Sequence, residues 1–180
     1  MTKEDIVQLL EDSHQALITF LENQPNDLWT KGPKGKWTTG QQALHLLQSI
    51  KKLNDALCLP KFILKYKFGT SNRELRDFDA IIKRYQERLE AAQGVTFKAS
   101  RNMKIPPLSD KPYILTRLQM EHKKLQYKTM KISDSNLNNL VVPHPLMGKM
   151  PLREIIMWTA HYVNHHSKIL KERYNKAVLS

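Results

Sequence analysis

Length, composition and charge already exclude several classes of protein. With 180 residues, of which 41% are hydrophobic, the chain is long enough to bury its own core as a single domain over residues 1–180. No apolar run approaches the roughly 20 residues of a membrane-spanning helix, and no signal peptide opens the chain, so we expect a cytoplasmic protein with no membrane partner. The formal charge of +12 favours anionic partners. Its basic residues are scattered over several predicted helices, so we expect no specific nucleic-acid partner.

Helical periodicity dominates the chain. Apolar residues at three- and four-residue spacing predict long amphipathic helices over residues 4–23, 38–57, 73–92, 111–131 and 152–174. Between them we expect a basic and aromatic connector at 59–72, a long loop at 94–111 and a turn-rich link at 133–139. No segment shows the strict alternation of a β-strand. The sequence therefore predicts an all-α fold, a four-helix bundle with long crossover connections and an extra helix.

Three residues with reactive side chains are expected to play structural or surface roles. The single cysteine, Cys58, has no partner for an internal disulfide bond and stands between two leucines, which predicts a small buried residue. His14 lies at the flank of an apolar stripe, and His122 follows a glutamate and precedes two lysines. Both histidines are therefore expected at the surface.

A pair of histidines on the last helix gives the strongest chemical signal. His161 and His165 stand four residues apart, so both imidazoles project from the same side of the helix within reach of one metal ion. Alternatively, both are ordinary helix residues. His166 points about 100° away, so we expect it to lie outside any ligand set. Tyr162 stands where a metalloprotease would carry its glutamate base, which disfavours that class of enzyme.

A metal bound by this pair needs a third protein ligand, and the best candidate is His45. Its helix should begin near Thr38 or Thr39, either of which can cap an exposed amide while Gln41 or Gln42 bonds back. By periodicity alone, His45 lies about 100° from the middle of the apolar stripe, at the flank of the helix. Three imidazoles would leave one coordination position open for water or substrate.

The arrangement of these motifs resembles a known superfamily. Residues 37–47 carry a tryptophan, a helix start and then His45 in an apolar setting, and they resemble the motif that opens the second helix of DinB-like proteins. The His-Pro-Leu-Met-Gly segment at 144–148, followed by His161, His165 and Ile169, resembles the matching C-terminal signature. Residues 60–69 and 73–89 are similar to one branch of the same superfamily. The resemblance covers nearly the whole chain.

The resemblance implies both a fold and a chemistry. The fold is a DinB-like, or YfiT-like, bundle of four main helices, and the implied ligands of a divalent metal ion (zinc, nickel or iron) are His45, His161 and His165. The superfamily includes thiol S-transferases and isomerases that use low-molecular-weight thiols such as bacillithiol or mycothiol. We therefore expect a metal-dependent enzyme of the thiol S-transferase or hydrolase type, in which the metal activates a thiol or water.

Further roles and rival functions follow from the same residues. General-base or orienting roles could fall to Glu154, Tyr162, His14 or His144. The expected partner is a small-molecule substrate or thiol, and exposed apolar residues of the connector are compatible with a homodimer. One alternative is a non-catalytic metal-binding protein. Another is a basic nucleic-acid-binding module, whose affinity would fall steeply with salt and would not depend on the three histidines.

Overall fold

The computed structural model describes residues 1–92 and 103–174, with the side chain of Arg173 excepted, and most of its regular structure is helical. Its helices are α1 (Lys3–Glu22), α2 (Thr39–Cys58), α3 (Lys61–Phe68), α4 (Phe78–Ala91), α5 (Lys111–Lys131), α6 (Asp134–Asn139) and α7 (Leu152–Tyr174). Two short strands, β1 (Val141–His144) and β2 (Gly148–Pro151), separate α6 from α7, and single 3-10 turns lie at Asn26–Trp29 and Leu108–Asp110. None of the described helices is long and apolar enough to cross a lipid bilayer.

Reciprocal side-chain caps fix where the first two helices begin. The Thr2 hydroxyl accepts the amide hydrogen of Asp5, whose carboxylate in turn accepts the Thr2 amide hydrogen. Thr38 and Gln41 form the same reciprocal pair at the start of α2. Each pair satisfies amides that the first turn of a helix leaves without a backbone partner. The predicted start of α2 is therefore confirmed.

The four longest helices enclose the core. α1 packs against α5 and α7, and α2 packs against the same two helices, so that each long helix touches two others. Residues such as Leu10, Leu46, Leu118 and Val163 are completely buried where these helices meet. The expectation of a mainly helical protein is confirmed, while membership of the DinB-like bundle stays a prediction.

A small β-hairpin corrects the expectation that the chain has no strand. β1 and β2 pair in antiparallel register, with Val141 opposite Pro151 and His144 opposite Gly148. Gly148 has a φ of 75°, a left-handed conformation that side chains with a Cβ atom rarely adopt. Four-residue strands are too short to show alternation in the sequence, and Pro143 obscures the pattern further. The hairpin carries His144 into contact with α7.

Helix α4 begins later than its periodicity predicts. The expected start was residue 73, but Asp77 caps the helix by accepting the amide hydrogen of Ala80, and the helix starts at Phe78. Residues 73–77 instead run along α7, where Arg73 and Arg76 bind the carboxylate of Glu154. Half of the predicted loop at 94–111, residues 94–102, lies outside the described part of the chain. The other half contains the 3-10 turn Leu108–Asp110 and the first residue of α5.

Candidate functional site

His45 and Tyr162 meet where α2 faces α7. The Nε2 atom of His45 lies 2.5 Å from the hydroxyl oxygen of Tyr162, a short hydrogen bond between two side chains far apart in sequence. Trp37 packs against the same imidazole at a steep angle between the ring planes, with ring centroids 5.0 Å apart. His45 is 8% exposed and thus buried, although its angular position predicts a flank residue. A helix flank is buried here because a second helix packs against it.

His166 completes a cluster with His45 and Tyr162. Its ring centroid lies 5.5 Å from that of His45 and 4.4 Å from that of Tyr162. The Nδ1 atom of His166 lies 2.6 Å from the side-chain carbonyl oxygen of Gln42, one turn before His45 on α2. A carbonyl oxygen only accepts hydrogen bonds, so Nδ1 carries a proton, and in the neutral form of the ring the lone pair lies on Nε2. Gln42 therefore sets the tautomer of His166.

The cluster forms part of the wall of a cavity of about 540 Å³. Most of the wall is aromatic or aliphatic, and its larger members are Trp37, Ile50, Leu53, Phe68, Tyr85, Leu89, Leu146, Ile155 and Trp158. Polar side chains are fewer, namely His45, Ser49, Lys52, His144, Thr159, Tyr162, His165 and His166. A concave, largely apolar cavity with a few converging polar groups is the usual form of a small-molecule site.

Burial keeps both members of the short hydrogen bond uncharged at neutral pH. Burial, assisted by the positive charge of Lys52, lowers the pKa of His45 from 6.5 to about 4. Burial raises the pKa of the Tyr162 phenol well above 10, and the neighbouring Tyr85 adds to the increase. A neutral imidazole and a neutral phenol therefore face each other at the cavity wall.

The structure does not bring the three predicted metal ligands together in one cluster. His161 and His165 do lie on one side of α7, with ring centroids 6.4 Å apart, and both contact the ring of Tyr85 on α4. The imidazole of His45 contacts Tyr162 and His166. His165 lines the same cavity as His45 and also contacts His166, with ring centroids 5.6 Å apart. Within residues 1–92 and 103–174, no three His, Cys, Asp or Glu side chains form a group that could hold a metal ion. The set of His45, His161 and His165 stays a prediction.

Sequence reasoning missed Tyr162 and His166 as a pair, although the signal was present. They too stand four residues apart on α7, one position after His161 and His165. Tyr162 also follows Trp158 by four residues, and the two rings stack with centroids 4.5 Å apart. His166 therefore continues the aromatic stripe that faces the cavity.

The β-hairpin supplies His144 to the cavity wall. The Nδ1 atom of this ring accepts hydrogen bonds from the amides of Leu146 and Met147, at 3.1 and 3.0 Å. Burial lowers the pKa of His144 to about 4, so its ring is neutral at pH 7 and its single proton must lie on Nε2. The ring packs edge-on against Trp158, with centroids 4.3 Å apart. His144 therefore serves the cavity as a hydrogen-bond donor.

Glu154 is bound by arginines rather than available for chemistry. Its carboxylate is completely buried and accepts two hydrogen bonds from the Arg73 guanidinium, at 2.6 and 2.7 Å, and one from the Arg76 amide at 2.8 Å. Burial by itself would raise the pKa of Glu154, but these hydrogen bonds and the two arginine charges lower it overall. The residue joins the segment before α4 to α7, which is a structural role.

The expected locations of His14, His122 and Cys58 are wrong. His14 and His122 are 5% and 0% exposed and stack on each other between α1 and α5, with ring centroids 3.8 Å apart. Cys58 is exposed, and its sulfur lies 3.0 Å from the Lys128 ammonium group. Local sequence did not reveal which flank of each helix meets a neighbour. His14 therefore lies outside the candidate site and is not placed to act as its base or orienting group.

The chain was compared with models of protein families, with curated proteins and with solved structures, and none of the three comparisons found a match. The resemblance to DinB-like proteins and the function that it implies therefore stay predictions. What the structure adds is a set of contacts, namely the cluster of His45, Tyr162 and His166 beside an apolar cavity.

Proposed function

We propose that this protein is a divalent-metal-dependent enzyme, of the transferase or hydrolase type, that acts on a small and largely apolar molecule in the 540 Å³ cavity. One observation carries the proposal: two imidazoles and a phenol from two helices converge on the cavity wall, at His45, His166 and Tyr162. Imidazole nitrogen suits zinc, iron and nickel alike.

The protonation states of the cluster favour metal binding over unassisted proton transfer. At pH 7 an imidazole with a pKa of about 4, such as His45, is a weak base. A phenol whose pKa is raised, such as Tyr162, is a weak acid. Neutral imidazole is, however, the form that binds metal ions. The resemblance to DinB-like proteins also implies a metal, although with His161 and His165 as the ligands on α7.

Contacts around His166 also fit a ligand role. A metal-binding histidine usually donates its other ring N–H to a carbonyl or carboxylate, which fixes the ring and its tautomer. Gln42 accepts such a bond from Nδ1 of His166, so Nε2 is the nitrogen that could bind a metal. We therefore favour His45 and His166 as ligands, with Tyr162 as the third in the phenolate form that a bound divalent ion would stabilise, over the predicted set of His45, His161 and His165.

The chemistry of such a site would be the activation of a nucleophile. A bound divalent ion supplies positive charge that lowers the pKa of a thiol or water, so that a thiolate or hydroxide is available near neutral pH. The aromatic wall, including Trp37, Tyr85 and Trp158, would hold the apolar part of the substrate and exclude water from it. A low-molecular-weight thiol such as bacillithiol stays a candidate co-substrate.

Metal content tests this proposal and separates the two ligand sets. The protein would be purified without chelators, reloaded with zinc or nickel, and measured by elemental analysis as wild type and as His45→Ala, His166→Ala and Tyr162→Phe. We expect near-stoichiometric metal in the wild type, loss in both alanine variants and weaker binding in Tyr162→Phe. Gln42→Leu should lower metal affinity about 10- to 100-fold, because His166 loses its orienting bond.

His161→Ala is the matched control, since it removes an imidazole from the neighbouring face of the same helix. Retention of metal in this variant is expected. Loss of metal in His161→Ala together with retention in His166→Ala would instead support the predicted three-histidine set. A wild type that binds neither metal would refute the proposal. If metal binds but neither ester hydrolysis nor thiol transfer to an apolar electrophile occurs, the protein is a non-catalytic metal-binding protein.

A further inference from the structure

The cavity wall carries formal charge of one sign only. Among the described residues that line it, Lys52 is the one with a formal charge, and no aspartate or glutamate is present. Lys52 makes no ion pair within residues 1–92 and 103–174, whereas the adjacent Lys51 binds Asp55 at 2.6 Å. A cationic ligand would therefore meet a positive charge with no carboxylate to balance it. An anionic ligand could instead form an ion pair with Lys52.

His144, which the hairpin contributes to the cavity wall, is a hydrogen-bond donor, as is the Lys52 ammonium group. The Nδ1 atom of His144 is occupied by two backbone amides, so the ring offers its Nε2–H. Within the described part of the chain, no residue accepts a hydrogen bond from this group. A ligand that carries carbonyl or carboxylate oxygens would therefore match His144, and one that carries only donor groups would not.

The distance between Lys52 and His45 sets the minimum length of a ligand that reaches both residues. Both residues lie on α2, seven positions apart, and their side chains share one side of the helix because seven residues make nearly two full turns. A rise of about 1.5 Å per residue separates them by roughly 10 Å along the helix axis. A molecule held at Lys52 and acted on near His45 must span that distance.

We propose that the cavity takes an elongated, ring-containing organic acid, with its carboxylate at Lys52 and the opposite, reacting end at the cluster of His45, Tyr162 and His166. Aromatic side chains such as Tyr85 and Trp158 line the cavity along which the apolar body of the molecule would lie. This inference names the substrate class of the proposed enzyme and therefore rests on the proposed function, which makes the cavity its binding site.

Three naphthalene derivatives of similar size but different charge test the inference. Calorimetry on the metal-loaded protein would compare 2-naphthoate, the neutral alcohol 2-naphthalenemethanol, and the cation 2-naphthylmethylammonium. We expect 2-naphthoate to bind about tenfold or more tightly than the cation. Lys52 is exposed, so Lys52→Met should weaken 2-naphthoate about three- to fivefold and the alcohol less than about twofold, and Lys52→Arg should restore binding. Lys51→Met is the matched control and should change neither affinity.

Each alternative outcome identifies which idea fails. Equal binding of all three probes, unaffected by Lys52→Met, would overturn the organic-acid inference and leave the cavity as a binding site. Binding of 2-naphthoate that is lost in His45→Ala but kept in Lys52→Met would place the carboxylate at the cluster and also overturn it. Binding of none of the three probes would refute both the inference and the proposal that the cavity binds small apolar molecules.

Discussion

Acid should destabilise this protein, because two histidines lie stacked and buried between α1 and α5. No hydrogen-bond partner for either ring nitrogen of His14 or His122 is present in the described part of the chain. Burial lowers the pKa of His14 from 6.5 to about 4, with the negative charge of Glu11 opposing the shift and the positive charge of Lys123 adding to it. Burial, and then the charge of His14, lower the pKa of His122 well below 6.5.

The sign of the effect follows from where the proton binds. An unfolded chain takes up a proton at His14 near pH 6.5, whereas the folded protein does so only near pH 4. Stability is therefore full above pH 6.5 and falls as the pH drops from 6.5 toward 4. The pKa of His14 differs by about 2.5 units between the unfolded and folded states, and each unit corresponds to about 1.4 kcal/mol. Protonation of His14 therefore lowers the free energy of unfolding by about 3 kcal/mol. His122 acts in the same direction.

A His14→Phe variant should lose much of this pH dependence, because phenylalanine keeps a ring against His122 and cannot take up a proton. Urea unfolding followed by circular dichroism, at about pH 7.5 and about pH 4.5, would give the free energy of unfolding. When the pH falls from about 7.5 to about 4.5, the free energy of unfolding should decrease in both proteins. We expect the decrease to be about 2 to 3 kcal/mol smaller in the variant than in the wild type.

Ser13→Ala is the control for the change in pH dependence. Ser13 is 2% exposed, precedes His14 on α1 and donates its hydroxyl hydrogen to the carbonyl of Leu10, so it does not titrate. Its loss of stability between the two pH values should equal that of the wild type. Equal pH dependence in His14→Phe and the wild type would refute the reasoning, as would a wild type whose stability does not fall with acid.

Two further substitutions test packing around the candidate site. Glu154→Gln removes the buried charge that Arg73 and Arg76 bind, and should lower the free energy of unfolding by about 3 kcal/mol in urea titrations; an unchanged unfolding midpoint would contradict the structural role of Glu154. Gly40→Ala would place a Cβ atom 2.6 Å from the backbone oxygen of Trp29, and should cost about 1 to 3 kcal/mol. Thermal melting would measure the effect of this substitution. A melting temperature equal to that of the wild type would show that the structure around Trp29 accommodates the added Cβ atom without loss of stability.

Local signals in the sequence predict the long helices, except for the start of α4, because their information lies within a few residues; the short helices α3 and α6 lie in segments predicted as a connector and a link. The reciprocal cap of Thr38 and Gln41 and the predicted span of α5 at 111–131 are both confirmed. Segments whose shape depends on distant contacts were predicted poorly. The hairpin is tied to the rest of the fold by a bridge from Leu140 to Thr70, and Glu154 on α7 binds the segment before α4. Neither contact produces a periodic pattern in the sequence from which it could be predicted.

Burial of polar side chains was the second point at which local reasoning failed. His122 stands among charged neighbours in the sequence, yet its side chain is turned toward α1 and is completely buried. Cys58 stands among apolar neighbours, yet it is exposed beside Lys128. On a helix, adjacent residues point about 100° apart, so the polarity of immediate neighbours says little about the environment of a given side chain.

The same geometry explains why two pairs of residues on α7 are alternative ligands for the proposed metal site. Residues 161 and 165 share one side of the helix, and residues 162 and 166 share the side next to it. Ligand chemistry favours the first pair, because both members are imidazoles, whereas packing favours the second pair, because α2 presents His45 and Gln42 to it. A metal centre requires donor atoms that meet at one point as well as donors of suitable chemistry. Since the structure brings the second pair to His45, the His166→Ala variant is the more informative of the two alanine substitutions on α7.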